Sequence, residues 1–484
     1  MTKQETSSDD FVEVMNLAGD GRLEAAMDRS RQLSPEEQEK LTPLLSCLGA
    51  VEAHSKQENL ETASALLDVA VDLGLDPVDR SRWFGRIYHA ARDPSPAIEV
   101  LSQTMASRPM HPEVPYRLAL LLASVGRTAD AWRSLSDVPR EVATRPLLQL
   151  AECRVLQAEG RFSEIVERLT MMGPRKMAII EEERLDLLTI ALDRMGRGRE
   201  AVTTAGQRRA MNPTNFDTEA FLDVVSSRVT EPLPALPVAQ NSDAPKMLFV
   251  IAAFRSGTTL LEKLIADHPD AHGLGESELV RSVLRNQGEP GSPFTPDHES
   301  ITRHLRERDP DAGLFVVKNI DLWFQVPRVL ARFPNPRIIL LTRDPIEIGL
   351  SMWKSSLPSD LFPFLGRLEW IGWYLGICRA ALEHWISTPG LPSSTIDYSD
   401  LTDAAEKAGS LAWKAAELGS SVGRSVETAN LSGPRTISSN LASAPVGTRL
   451  RKDRATELGQ HHDEFQAAYE RGRNRFLERF PPTA

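Results

Sequence analysis

Residues 249–261 read Phe-Val-Ile-Ala-Ala-Phe-Arg-Ser-Gly-Thr-Thr-Leu-Leu, an apolar run that breaks into a basic, hydroxyl-rich turn. The apolar part suits a strand buried on both faces, and Leu260, Leu261, Leu264 and Ile265 restore helical periodicity directly afterwards. A strand, a tight turn and a helix are therefore expected, with the turn at the helix N-terminus. Unpaired backbone N–H groups and the helix dipole favour an anion there. Gly257 lets the backbone approach such an anion, Ser256, Thr258 and Thr259 add hydroxyls, and Arg255 adds a permanent planar cation. A nucleoside-triphosphate loop would read Gly-x-x-x-x-Gly-Lys-Ser/Thr. Here Thr258 stands in place of that lysine and Ala252 in place of the first glycine.

The chain around this turn has two textures. From 11 to 228 the pattern is helical, and a cue recurs: a turn residue, a basic or apolar residue, then an acidic residue and alanine. It appears at Gly21-Arg22-Leu23-Glu24-Ala25, Asn59-Leu60-Glu61-Thr62-Ala63, Gly126-Arg127-Thr128-Ala129-Asp130-Ala131, Gly160-Arg161-Phe162-Ser163-Glu164 and Gly196-Arg197-Gly198-Arg199-Glu200-Ala201. Allowing a missing turn near Pro94, the spacing is about 34 to 38 residues, the period of helix-turn-helix repeats. A solenoid resembling tetratricopeptide repeats is expected, against the alternative of an irregular helical bundle. Such a solenoid would bury faces that no single unit can bury alone and would offer a surface to a peptide or protein. Residues 1–10, polar and acidic, read as a disordered lead-in.

Residues 229–245 carry four prolines and no helical pattern, and read as a linker. From 246 to 484 short apolar runs (247–253, 314–317, 338–341 and 394–398) alternate with helical segments, as in an α/β domain with a mainly parallel sheet. A chain of 484 residues is long enough for two or three domains. Its formal net charge of -11 disfavours general nucleic-acid or anionic-membrane binding, so any anion site must be built locally. The cysteines Cys47, Cys153 and Cys378 are far apart, suggesting neither a disulfide framework nor a metal site, and no run approaches the roughly 18 apolar residues of a membrane span. A cytoplasmic protein is expected.

Ligands of open parallel sheets bind outside the carboxyl ends of the strands. Three apolar runs end there in cations: Arg255, Lys318 and Arg343. Three cations at such ends imply a polyanion between them. After Arg343, Asp344 and Pro345 suit the cap and first turn of a helix, and Ser351 falls about two turns along it. Arg343 and Ser351 are thus placed to hold a second phosphate.

Residues 254–261 resemble the 5′-phosphosulfate loop of sulfotransferases that use 3′-phosphoadenosine 5′-phosphosulfate, and Arg343-Asp344-Pro345 through Ser351 resembles their 3′-phosphate motif. The resemblance covers about 246–480 and is closest to bacterial tetratricopeptide-repeat sulfotransferases, with a more distant likeness to tyrosylprotein sulfotransferases. Phe254 departs from it, since the family usually has proline there.

The resemblance implies transfer of a sulfuryl group to a hydroxyl or tyrosine, with no metal. It makes Glu276 the general base, with Glu278 as an alternative, and sets Lys318 beside the transferred group. It adds Tyr398 near the nucleotide and Ser438 in a Thr-x-Ser segment at the same site. The arginine expected before Pro445 is absent, which weakens any role for Arg449 or Arg451. The acceptor would carry a hydroxyl or phenol, on a peptide or protein held by the repeats or on a carbohydrate, lipid or small molecule. The competing expectation is a repeat scaffold whose second domain binds nucleotide without turnover.

Overall fold

In the computed structural model, β1 (Lys246–Ile251) lies at the centre of a five-stranded sheet with β2 (Ala271–Gly275), β3 (Leu314–Val317), β4 (Pro336–Thr342) and β5 (Ser393–Asp397). The order is β2-β3-β1-β4-β5, and every neighbouring pair is parallel. The structure describes the chain except for residues 1–4, 20–21, 57–59, 91–93, 108–110, 140, 142–144, 235–244, 285–297, 334–335, 403–404, 419–453 and 482–484. Most of the proline-rich 229–245 therefore lies outside the described residues.

Successive side chains of a strand point to opposite faces, and here both faces are covered. Met247, Phe249 and Ile251 join one core with Phe315, Val317, Ile338 and Leu340. Leu248 and Val250 join another with Leu314, Val316, Ile339 and Leu341. That double burial is why these strands read as unbroken apolar runs. β2 has no such run, since it is an edge strand of sequence Ala-His-Gly-Leu-Gly.

The chain divides into two compact units at Met195 and Gly196, ahead of the boundary expected at 228. The reason is packing. Helices Gly198–Met211 and Thr218–Val229 place Val202, Ala205, Leu222, Val225 and Val229 in the core of the sheet-bearing unit. Arg209 and Thr214 further hydrogen-bond to residues 352–363 of that unit.

The first unit is helical, from Glu5–Gly19 to Ala178–Arg194. Residues 5–10 are helical rather than disordered. Val14 and Ala18 are buried on the same helix, and Asp10 pairs with Arg29 at 2.5 Å.

The recurring cue proves to be one turn built several times. Gly126, Gly160 and Gly196 have φ of 80°, 74° and 83°, the left-handed conformation that ends a helix. The arginine after each starts the next helix with nearly the same backbone angles: φ -83° and ψ 54° at Arg127, -86° and 58° at Arg161, -84° and 55° at Arg197. Its guanidinium then pairs with the acid three residues on, Asp130, Glu164 or Glu200, at 2.6 to 2.7 Å. Among the described residues, no helix is long and apolar enough to cross a membrane.

Candidate functional site

The chain leaves β1 toward β2 on one side of the sheet and leaves β4 toward β5 on the other. A crevice between the carboxyl ends of β1 and β4 follows from that divergence. Arg255 stands after β1 and Arg343 after β4, so both arginines border it.

The turn after β1 has left-handed residues at Arg255 (φ 71°) and Gly257 (φ 100°), and helix Thr258–Ala266 begins immediately. Backbone of this kind can turn several N–H groups toward one point and form an anion-binding concavity. Ser256 is buried, whereas Thr258 and Thr259 are partly exposed on the first helical turn. The left-handed angle costs an arginine about 1 kcal/mol or more, strain characteristic of ligand-binding turns.

Arg255 donates from Nε to Ser351 Oγ at 3.1 Å. Burial, and secondarily the nearby Arg343, pulls its pKa down to about 10. It stays charged at neutral pH, as a partly buried cation beside another cation. An anion in the crevice would relieve both penalties. Arg343 donates from Nη1 to the Arg255 carbonyl at 3.0 Å, pairs through Nε with Glu347 at 3.0 Å, and lies over the Tyr398 ring at 4.1 Å. Tyr398 in turn packs on Gly257, where a Cβ would collide with its ring.

Asp344 caps helix Pro345–Trp353 by accepting the Glu347 N–H at 3.0 Å, with Pro345 in the first turn. Ser351 is thus fixed on a well-started helix, and its hydroxyl meets Arg255 directly. The expected grouping of Arg255, Arg343, Ser351 and Tyr398 is one contiguous cluster in the structure.

A second cluster lies at the ends of β2 and β3. Lys318 is 2% exposed, and its Nζ is 3.7 Å from Glu276 Oε1. Arg281 reaches the other oxygen of Glu276 at 4.0 Å. The backbone around Glu276 is held on both sides. Glu262, buried on the helix after the anion turn, accepts the Gly275 N–H at 2.5 Å, and the Lys318 N–H donates to the Gly275 carbonyl at 3.0 Å. On the far side Asn319 accepts the Ser277 N–H and donates to the Ser277 carbonyl, both at 3.1 Å. Asp321 belongs to the same neighbourhood. Burial pushes its carboxyl above the ordinary aspartate value, and the charge of Glu276 adds to the rise.

Sequence reasoning missed Glu262, Asn319 and Asp321. Glu262 looks like any polar residue of an amphipathic helix, while Asn319 and Asp321 carried the one available signal, their place just after a strand-end lysine. Phe254 has an account as well. It is 7% exposed and packs on Phe362 (5.5 Å), Phe364 (5.6 Å) and Tyr374 (6.1 Å), joining the anion turn to the segment after Ser351.

His272 lies within β2 and pairs with Asp309 at 3.1 Å. Trp353, Trp373 and Tyr374 are core residues, and Glu278 opens helix Glu278–Leu284. Ser438, Arg449 and Arg451 lie outside the described residues. A cavity of about 600 Å³ opens beside Arg343 and Tyr398. Among its lining charges Glu383 pairs with Arg379 at 2.9 Å and with Arg473 at 3.0 Å.

Sheet and site together define an α/β unit with cations gathered at strand ends. No family model matches the chain. It is similar to an uncharacterized protein of Aquifex aeolicus (strain VF5), with 24% identity over 213 residues that cover 40% of this chain. The match spans 28% of the length of that relative.

Proposed function

We propose that the sheet-bearing unit is a P-loop-like sulfotransferase domain, which takes a sulfuryl group from 3′-phosphoadenosine 5′-phosphosulfate and passes it to a hydroxyl or phenol. The observation that carries this reading is the meeting of Arg255 and Arg343 at the crevice between β1 and β4, with Ser351 bonded to Arg255. Arg343 has the Glu347 carboxylate beside it while Arg255 is held by the Ser351 hydroxyl, and the net positive charge of the pair favours an anionic ligand.

In this reading Arg255 and the turn of 255–259 hold the phosphosulfate, while Arg343 and Ser351 hold the 3′-phosphate. The acceptor oxygen forms a bond to sulfur as the bond from sulfur to the 5′-phosphate oxygen breaks. Glu276 takes the acceptor proton, and Lys318 balances charge on the departing oxygen. The paired positions of Glu276 and Lys318, 3.7 Å apart with the backbone fixed on either side, support turnover over a scaffold that only binds nucleotide. The helical unit, with its repeated turn, is read as a tetratricopeptide-like solenoid that presents a peptide or protein, and the whole as a cytoplasmic enzyme.

Calorimetric binding of adenosine 3′,5′-bisphosphate against ATP tests the donor assignment. Preference for the bisphosphate is expected. Preference for ATP would sink both the transferase and the inactive-binder readings.

A further inference from the structure

Helix Gly198–Met211 carries two buried arginines, Arg208 and Arg209, 4% and 5% exposed. Their guanidinium groups face backbone carbonyls at the end of the helix that bears Ser351. Arg209 donates from Nη2 to Met352 O at 3.2 Å and to Ser355 O at 2.7 Å, and from Nη1 to Leu357 O at 2.5 Å and Ser359 Oγ at 2.9 Å. Arg208 also donates to Ser355 O. From the same stretch Trp353 donates its indole N–H to the Val202 carbonyl at 2.9 Å.

The last carbonyls of a helix have no partners within it and carry partial negative charge, so a cation there is favourable. Helix Pro345–Trp353 ends two residues past Ser351, and the chain then turns away through 354–359. One planar guanidinium presents its donors in a rigid fork that fixes several carbonyls of such a turn in a set geometry, whereas an ammonium is a compact point charge whose donors rotate.

We infer that Arg209 is a positioning residue for the 3′-phosphate subsite: by clasping the carbonyls of residues 352–357 it fixes the last turn of Pro345–Trp353 and holds the Ser351 hydroxyl against Arg255. This rests on the proposed donor reading, in which Ser351 contacts the 3′-phosphate. It makes a helix that the sequence assigns to the repeat region a working part of the nucleotide site.

The test compares the full-length protein with Arg209→Ala and Arg209→Lys, using calorimetric affinities for adenosine 3′,5′-bisphosphate and for adenosine 5′-monophosphate. Melting curves select the variants that fold. The ratio of the two affinities isolates the 3′-phosphate, so general loosening of the fold, which weakens both ligands alike, leaves it unmoved. In Arg209→Ala the ratio is expected to fall about tenfold, the scale of one charge-assisted hydrogen bond. Arg209→Lys, which retains the charge but loses the planar fork, is expected to fall in between and supplies the reading if the alanine variant does not fold. An unchanged ratio in a folded variant overturns the inference. A wild-type ratio of one would instead overturn the donor reading itself, before any variant is compared.

Discussion

Arg343 donates a hydrogen bond to the backbone carbonyl of Arg255 at 3.0 Å, so the cation that ends β4 is tied to the turn that follows β1. The contact brings two positive charges together, and while Arg343 is paired with the Glu347 carboxylate, Arg255 is held by the neutral Ser351 hydroxyl. The net positive charge of the pair is expected to cost some stability in the free protein and to favour an anionic ligand.

The free-protein cost is testable at Arg255. Replacing it by Met removes a partly buried cation beside Arg343 and is expected to leave the unliganded protein as stable or up to about 1 kcal/mol more so. The same change should weaken adenosine 3′,5′-bisphosphate by at least about tenfold, since a charge-assisted contact is lost. Denaturant melts with and without the bisphosphate measure both effects.

Gly257 is constrained by its φ of 100° and by the Tyr398 ring. Gly257→Ala is expected to cost about 2 kcal/mol or more, combining backbone strain with a steric clash. In a Tyr398→Ala background the clash disappears and about 1 kcal/mol of backbone strain should remain. Equal penalties in the two backgrounds, measured by urea unfolding, would contradict the packing of Tyr398 on the turn.

Asn319 makes two hydrogen bonds to the backbone of Ser277, next to Glu276. Asn319→Ala should destabilise by about 2 kcal/mol through the two unpaired backbone groups. Because the lost contacts position the base rather than the donor, kcat should fall by about tenfold with little change in bisphosphate affinity. Steady-state kinetics alongside calorimetry separate the two.

Asp321 has a folded-state pKa raised above its unfolded value, chiefly by burial. The folded state then binds more protons than the unfolded state, and stability falls as pH rises from the ordinary aspartate value of about 4 through the higher folded value. Asp321→Asn removes the charge while keeping an oxygen for the Gln325 amide, which is 2.6 Å from Asp321. The variant should be more stable than wild type at neutral pH, and the gap should close on acidification below about pH 4. Urea melts across that range check the sign.

How much could be read beforehand follows from what each residue must do locally. β1, β3 and β4 are buried on both faces, so their sequences show unbroken apolar runs, whereas β2 at the edge shows none. The turn of 255–259 and the Asp344-Pro345 start are local chemistry, legible without the fold. Arg209 and Glu262 act on backbone groups distant in sequence, Leu357 O and Gly275 N–H, and nothing in their own neighbourhoods marks them. The division at Met195 was hidden for a related reason. The cue at Gly196 repeats the local turn of Gly126 and Gly160, while the face that follows it, Val202 and Ala205, joins the other unit's core.

The central claim is sulfuryl transfer with Glu276 as the base. Its most direct measurement is incorporation of ³⁵S from labelled 3′-phosphoadenosine 5′-phosphosulfate into a cell extract fractionated by polymer class, comparing wild type with Glu276→Gln. Labelling by wild type and a loss of about a hundredfold or more in the variant are predicted, with bisphosphate affinity retained. Equal labelling by both would remove Glu276 from the chemistry, and no labelling by a wild type that binds the bisphosphate would contradict the transferase account.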